Sequence, residues 1–243
     1  MQADVTLALP QLSGNTEINN KITVVIDALR ATSTIVTALH HQAIEVIPVV
    51  EPAEAVELAK NIGAQECITG GERRGLRIDG FELGNSPLEY TEERIAGKKI
   101  ILSTTNGTKA IKLASQGAAE VLIGSFLNVQ AVIEYLSQAG RDLVIACAGR
   151  GNWGLSLEDL ACAGWIIRGL IDAGLEPGLT DAAKTALYAQ REARSIGLEK
   201  FFRQTDNGRN LIEVGLEQDL AACADLNSMP LLPRYSNGRV AVE

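Results

Sequence analysis

Short β-branched runs alternate with longer stretches of helical periodicity over the first two thirds of the chain. Apolar runs at 22–26, 45–50, 66–69, 99–103, 120–124 and 142–147 read as strands, and the segments 31–41, 52–62, 106–116, 129–138 and 157–172 read as the helices between them. Pro52 suits a first helical turn, and Gly63, Gly117, Gly140 and Gly174 suit helix stops. This order predicts an α/β fold, a three-layer α/β/α arrangement with a mainly parallel central sheet. After Gly178 the pattern turns helical, with segments at 181–195 and 210–222, and Asn237-Gly238 predicts a tight turn with a short terminal strand. The chain therefore reads as one domain: a strand-helix alternating core over 1–177 and a mainly helical extension over 178–243.

The polar residues that break this pattern collect where strands end. The run ITVVIDALRATST carries β-branched residues into Asp27, Arg30, Thr32, Ser33 and Thr34 at the first turn of a helix. Such a junction offers open backbone N–H groups and the positive end of the helix dipole, and Arg30 adds a guanidinium suited to phosphate or sulfonate oxygens. Asp27 beside it could hold a cation. After 66–69 comes GGERRGLRIDGFELGNSP, with Glu72, Asn85 and Ser86. After 99–103 come Thr104, Thr105, Asn106, Gly107 and Thr108, and after 142–147 come Gly149, Arg150 and Gly151, leading to Ser156, Glu158 and Asp159. Single loops of this kind are ordinary helix caps: Asn106 suits an N-cap, and Ser156 with Asp159 forms a loose capping box. Four of them at successive strand ends point instead to a shared anion and cation site, because ligands of open α/β sheets bind there.

Net charge of −8 over 243 residues argues against nonspecific nucleic-acid binding, which needs basic patches, but not against a small anionic substrate met by a local cluster of arginines. Cys67, Cys147, Cys162 and Cys223 lie far apart with no CxxC pair, so buried reduced thiols are expected. The first residues, MQADVTLALPQL, carry no basic leader, and no run approaches the ~20 apolar residues of a membrane span. A cytoplasmic protein without membrane contact is the expectation. A homodimer stays open.

Two other chemistries meet obstacles. Gly149-x-Gly151-x-x-Gly154 has the form of a dinucleotide fingerprint, yet the chain runs into Gly174-Leu175-Glu176-Pro177 and more helix where a second strand should end in a ribose-binding acid. Asp27 followed later by Ser103 or Thr104 imitates a haloacid-dehalogenase phosphatase, but Leu29 stands where that mechanism needs a second Asp. His40 and His41 fall at a predicted helix end, away from the loops, and Trp153 could wall the site or merely pack.

The segments VVIDALRATSTIVTAL, GGERRGLRIDGFELGNSPLEY, LSTTNGTKAI, GSFLNVQAV and CAGRGNWGLSLEDLACAGWII resemble, in order, the 2-phosphosulfolactate phosphatases, with a looser match through CADLNSMPLLPRY. The resemblance implies a Mg2+-dependent phosphatase that converts (R)-2-phospho-3-sulfolactate to 3-sulfolactate and phosphate, a step in coenzyme M formation. It maps the family's polar positions onto Asp27, Arg30, Thr32, Glu72, Asn85, Ser86, Thr104, Thr105, Asn106, Gly107, Arg150, Glu158 and Asp159. On that basis Asp27, Glu72 and Glu158 are expected as metal ligands, with Asp27 also a candidate base or nucleophile and Asp159 a further catalytic carboxylate. Arg30, Arg150 and the N–H groups of Thr104–Thr108 would clamp the anions, Thr32 and Ser33 would assist them, and Asn85 and Ser86 would orient the carboxylate or leaving oxygen. A noncatalytic binder of sulfonated or phosphorylated acids, and a nicotinamide-dependent oxidoreductase, are the alternatives.

Overall fold

A computed structural model describes residues 1–12, 14, 16–151 and 154–242. Trp153 and Asn152 lie outside the described residues. The strands are β1 (Gln2–Thr6), β2 (Ile22–Ile26), β3 (Glu45–Val49), β4 (Cys67–Arg73), β5 (Leu76–Arg77), β6 (Lys99–Ser103), β7 (Glu120–Gly124), β8 (Leu143–Cys147), β9 (Gly178–Leu179), β10 (Arg234–Ser236) and β11 (Arg239–Ala241). The α-helices are α1 (Ala31–His40), α2 (Pro52–Ile62), α3 (Glu92–Ile95), α4 (Gly107–Ala114), α5 (Val129–Ala139), α6 (Leu157–Asp172), α7 (Asp181–Ile196), α8 (Leu198–Phe202), α9 (Asp206–Glu213) and α10 (Gln218–Cys223).

The predicted alternation is present, and the fold is the expected α/β class with helices on both faces of a mostly parallel sheet. Strand order is β5-β4-β6-β3-β11-β10-β7-β2-β8-β1-β9. Two parallel groups, β4-β6-β3 and β7-β2-β8-β1, are joined through the terminal hairpin β10–β11, which pairs antiparallel on both sides. Asn237 and Gly238 make its turn, both at positive φ, as the sequence predicted. The short terminal strand is thus a stitch in the middle of the sheet. Three successive antiparallel pairings reverse the direction of one parallel group relative to the other. β1 lies outside the predicted strands; its alternation is short, and it finds its place by pairing with β8 and β9 across more than half the chain.

Side chains of the central strands alternate between two cores, as the period-two geometry requires. Ile22, Val24 and Ile26 of β2 pack with α5 and α6, whereas Val25 packs with Ile35, Val36, Ala110 and Ile111 of α1 and α4. That second core also takes Val46, Ile100 and Leu102 from β3 and β6, so the sheet curls around α1 and α4. Although the two groups run in opposite directions, the segments that follow β2 and β4 meet, Thr34 Oγ1 donating to the Asn85 carbonyl. Burial of β2 on both faces explains its continuous apolar run. All four cysteines are free and buried.

The residues after Leu179 pack back over this core. α7 lies along α6, and α9 and α10 cross above the ends of β2 and β4, where Leu211 and Asp219 are buried. The chain then returns beneath: Asn227 and Met229 donate backbone N–H groups to the carbonyls of Phe126 and Leu127 before the hairpin begins. None of the described helices is long and apolar enough to cross a membrane.

Candidate active site

A cavity of about 340 Å³ opens where β2, β4, β6 and β8 end beneath α9. Asp27, Arg30, Glu72, Asn85, Thr105, Asn106 and Arg150 line it, so seven of the residues expected from the sequence meet there. Its volume lies at the small end of the range for ligand sites.

Asp27 is placed by the turn into α1. Its backbone N–H donates to Thr32 Oγ1 at 3.0 Å, its carbonyl accepts from the Thr32 N–H and hydroxyl at 2.9 Å, and Oδ1 accepts from the Ala31 N–H at 3.3 Å. On its other side α4 begins so close that a Cβ on Gly107 would collide with Ala31 Cβ and lie 2.7 Å from Asp27 Oδ2. Only glycine fits there. Burial, with the negative charges of Glu72 and Glu158, pushes the Asp27 carboxyl up to about 7 despite the Ala31 hydrogen bond and the Arg30 charge.

The other carboxylates are held by backbone donors. Glu72 Oε1 accepts from Thr105 N–H at 2.7 Å and Oε2 from Gly75 N–H at 2.8 Å, tying the β4–β5 turn to the β6–α4 loop. Asp159 Oδ1 and Oδ2 accept from the N–H groups of Ala28 at 2.8 Å and Gly149 at 3.2 Å, joining the ends of β2 and β8. Burial and the charges of Asp27 and Glu158 push Asp159 well above the carboxylate range. Ser156 caps α6 through the Asp159 N–H, but the Asp159 side chain turns to the strand ends, so the anticipated capping box is only half made. Glu158 is buried beside the main cavity, in an adjoining space of about 100 Å³ that shares Arg150 and Asn207, and accepts from Asn207 Nδ2 at 2.5 Å.

The hydroxyls expected at the anion site are spent on the scaffold. Ser33 donates to the Ala28 carbonyl, Thr34 to that of Asn85, and Thr108 to that of Thr104, while Thr104 Oγ1 accepts from Thr108 N–H. Thr32, Ser33, Ser86, Thr104 and Thr108 stand behind the cavity wall. The N–H groups of Asn106 and Gly107 stay uncommitted at the start of α4 and can receive an anion. Buried Thr105 Oγ1 and Asn85 Oδ1 also have no protein partner.

Arg30 is more constrained than its sequence position suggests. Nη1 pairs with Asp219 Oδ2 at 2.7 Å and Nη2 donates to the Gly75 carbonyl at 2.8 Å, with both side chains of the pair 2% exposed. Ser86 Oγ donates to the other Asp219 oxygen at 2.6 Å. Arg150 pairs with Asp206 at 2.9 Å on the exposed rim. His40 and His41 sit at the end of α1, His41 bonded to the Tyr90 carbonyl.

Sequence reasoning missed the contributions of the C-terminal helices: Asn207, Asn210 and Leu211 line the cavity and Asp219 underlies it. Polar residues on an amphipathic helix look solvated until the helix is placed. Arg74, in the GGERRG run that follows 66–69, also lines the cavity.

Among the described residues no three His, Cys, Asp or Glu side chains form a metal cluster. Magnesium asks for less, commonly one or two carboxylates with waters and substrate phosphate. The donor set fits that requirement: Asp27 and Glu72 both line the cavity, and Asp27 ionises against neighbouring negative charge that a divalent cation would offset.

A family model described as 2-phosphosulpholactate phosphatase matches residues 7–238. A protein of Clostridium acetobutylicum named "Probable 2-phosphosulfolactate phosphatase" is 42% identical over 225 residues, covering 92% of this chain and 93% of the relative. Relatives of the same name from Clostridium perfringens strain SM101 and Clostridium beijerinckii are 43% and 36% identical, covering 99% and 100% of this chain and 96% and 100% of their own.

Proposed function

The chain belongs to the 2-phosphosulfolactate phosphatase family, and we propose that its strand-end cavity hydrolyses the phosphate ester of (R)-2-phospho-3-sulfolactate, or a closely related phosphorylated acid, with magnesium. This makes the chain a phosphoric monoester hydrolase. The observation that supports the reading best is the meeting, in one small cavity, of the Asp27 and Glu72 carboxyls with the uncommitted Asn106 N–H and Thr105 hydroxyl.

Asp27 and Glu72 would hold the magnesium ion, with Glu158 beside them. The bound ion would supply charge neutralisation at the phosphoryl oxygens, which otherwise face a wall of carboxylates. The chain's own groups account for the rest. The N–H groups of Asn106 and Gly107 and the Thr105 hydroxyl donate to phosphoryl oxygens in the transition state. Asp27, which burial and neighbouring charge raise to about 7 without metal, would be held ionised by the bound cation, and its carboxylate would accept a hydrogen bond from the attacking water. Asp159 fixes the ends of β2 and β8 on either side of it. α9 roofs the cavity and limits bulk water.

The test is phosphate release from a panel of phosphorylated hydroxy acids, with EDTA and with magnesium restored. The proposal expects preference for 2-phosphosulfolactate, loss of turnover with EDTA and recovery with magnesium. Full activity in EDTA would remove the metal. A protein that binds the panel without releasing phosphate, and whose carboxylates tolerate amide replacement, would be a noncatalytic binder.

A further inference from the structure

We propose that Arg74 and Asn85 form a sulfonate-binding subsite that selects a substrate carrying a second strong anion. This rests on the phosphatase reading above and deepens it by assigning two further residues of the same cavity.

The cations around the cavity are unequal. Arg30 is neutralised by Asp219, and Arg150 is paired with Asp206. Arg73 turns away, donating to the carbonyls of Val50 and Ser103. Arg74 lines the cavity and makes no hydrogen bond or ion pair with any described residue. It occupies the two-residue turn between β4 and β5 with Gly75, at φ 55 and 84. Positive φ is uncommon for a long side chain, and Asn or Gly is the usual occupant of such a turn. A strained conformation kept at a cavity wall motivates a functional reading.

Asn85 supplies the second part. It is 5% exposed and lines the same cavity, and its buried Oδ1, which a sulfonate cannot serve because it donates no hydrogen bond, has no protein partner to hold the amide in that orientation. Its amide nitrogen is equally uncommitted, so the group can turn a donor toward a ligand oxygen. Asn210 of α9 lies against Gly75 and adds a neutral amide to the same wall.

The buried Arg30–Asp219 pair brings these loops together. Arg30 binds the carbonyl of Gly75, next to Arg74, and Asp219 binds Ser86, next to Asn85. Four helix and loop segments are thereby stapled around two amides and a guanidinium with no partner among the described residues. One positive charge with neutral donors matches a sulfonate, a weakly basic monoanion with three acceptor oxygens. The phosphoryl group then lies toward Asp27 and the start of α4.

The experiment compares wild type, Arg74→Ala and Asn85→Ala on 2-phosphosulfolactate and on 2-phospholactate, which lacks the sulfonate, with circular dichroism to confirm folding. Loss of one charge-assisted contact should raise KM for 2-phosphosulfolactate roughly 10- to 100-fold in Arg74→Ala, with kcat within about 3-fold of wild type and 2-phospholactate kinetics changed less than about 2-fold. Arg74→Lys should recover part of the loss. Equal losses on both compounds, or none on either, would overturn the subsite. Calorimetric titration with 3-sulfolactate and with lactate keeps the question separate from catalysis. If wild type releases no phosphate yet binds 3-sulfolactate more tightly than lactate, and Arg74→Ala abolishes the difference, the subsite stands while the phosphatase reading fails. Failure of wild type to prefer 3-sulfolactate overturns the subsite, whatever the turnover.

Discussion

Replacing Asp219 with Ala tests whether the C-terminal helices are part of the site or a cover laid over it. The carboxylate lies 189 residues from Arg30 in sequence and 2.7 Å from its guanidinium in the fold. With the pair 2% exposed, removing Asp219 leaves a buried cation whose only remaining acceptor among the described residues is the Gly75 carbonyl, and Ser86 loses its acceptor as well. Breaking a buried pair in this way costs about 3–5 kcal/mol. A chain of this length loses roughly 2–4 °C in Tm per kcal/mol, so a drop of about 6–20 °C is expected in a thermal melt. The double variant Arg30→Met with Asp219→Leu removes both charges and fills the space. It should recover most of the lost Tm, because replacing both partners avoids the stranded charge, yet it should not recover kcat/KM, because the loops carrying Arg74 and Asn85 are no longer tied together. A single variant melting within about 2 °C of wild type, or a double variant no more stable than the single, would refute the account of the pair as a buried staple.

Other outcomes follow from the same geometry. Asp27→Asn should lower kcat by about a thousandfold or more while the protein stays folded, measured as phosphate release alongside circular dichroism; near-normal turnover would remove Asp27 from the chemistry. Because the native pKa values of Asp27 and Asp159 are raised, the folded protein holds protons that the unfolded chain has released, so stability without metal should fall as pH rises from the ordinary carboxylate range through about 7. Denaturant titrations at pH 5 and pH 8 check the sign, and the fall should be smaller in Asp27→Asn. Magnesium should raise Tm more at pH 8 than at pH 5, since the ion competes with the Asp27 proton; an equal rise at both would separate the ion from Asp27. Gly107→Ala should reduce turnover at least tenfold with a smaller effect on far-UV circular dichroism, because its Cβ would press on Asp27 and Ala31.

Much of this protein was legible along the chain because the relevant signals are local. Period-two and 3.6-residue patterns follow from which face of an element is buried, and they located β2, β3, β4, β6, β7 and β8 and the helices α1, α2, α4, α5 and α6, but not the short β5 and α3. The concentration of Asp27, Glu72, Asn85, Thr105, Asn106 and Arg150 at strand ends likewise pointed to one cavity, and all six line it. What a local signal cannot carry is where elements meet. The hairpin at residues 234–241 looks like a tail in sequence, yet it joins two oppositely directed groups of strands, and Asp27 and Glu72, from one group each, line the same cavity. Nor does residue type say which polar group faces a ligand. Thr32, Ser33 and Thr108 spend their hydroxyls on backbone carbonyls, and Arg30 spends its charge on an aspartate from α10. Arg74, in contrast, is left unpaired by the turn that carries it. Sequence determined the elements and the polar groups assembled at their ends. Tertiary structure decided which of those groups remain uncommitted, because each hydrogen bond and ion pair depends on partners that the chain brings close only by folding.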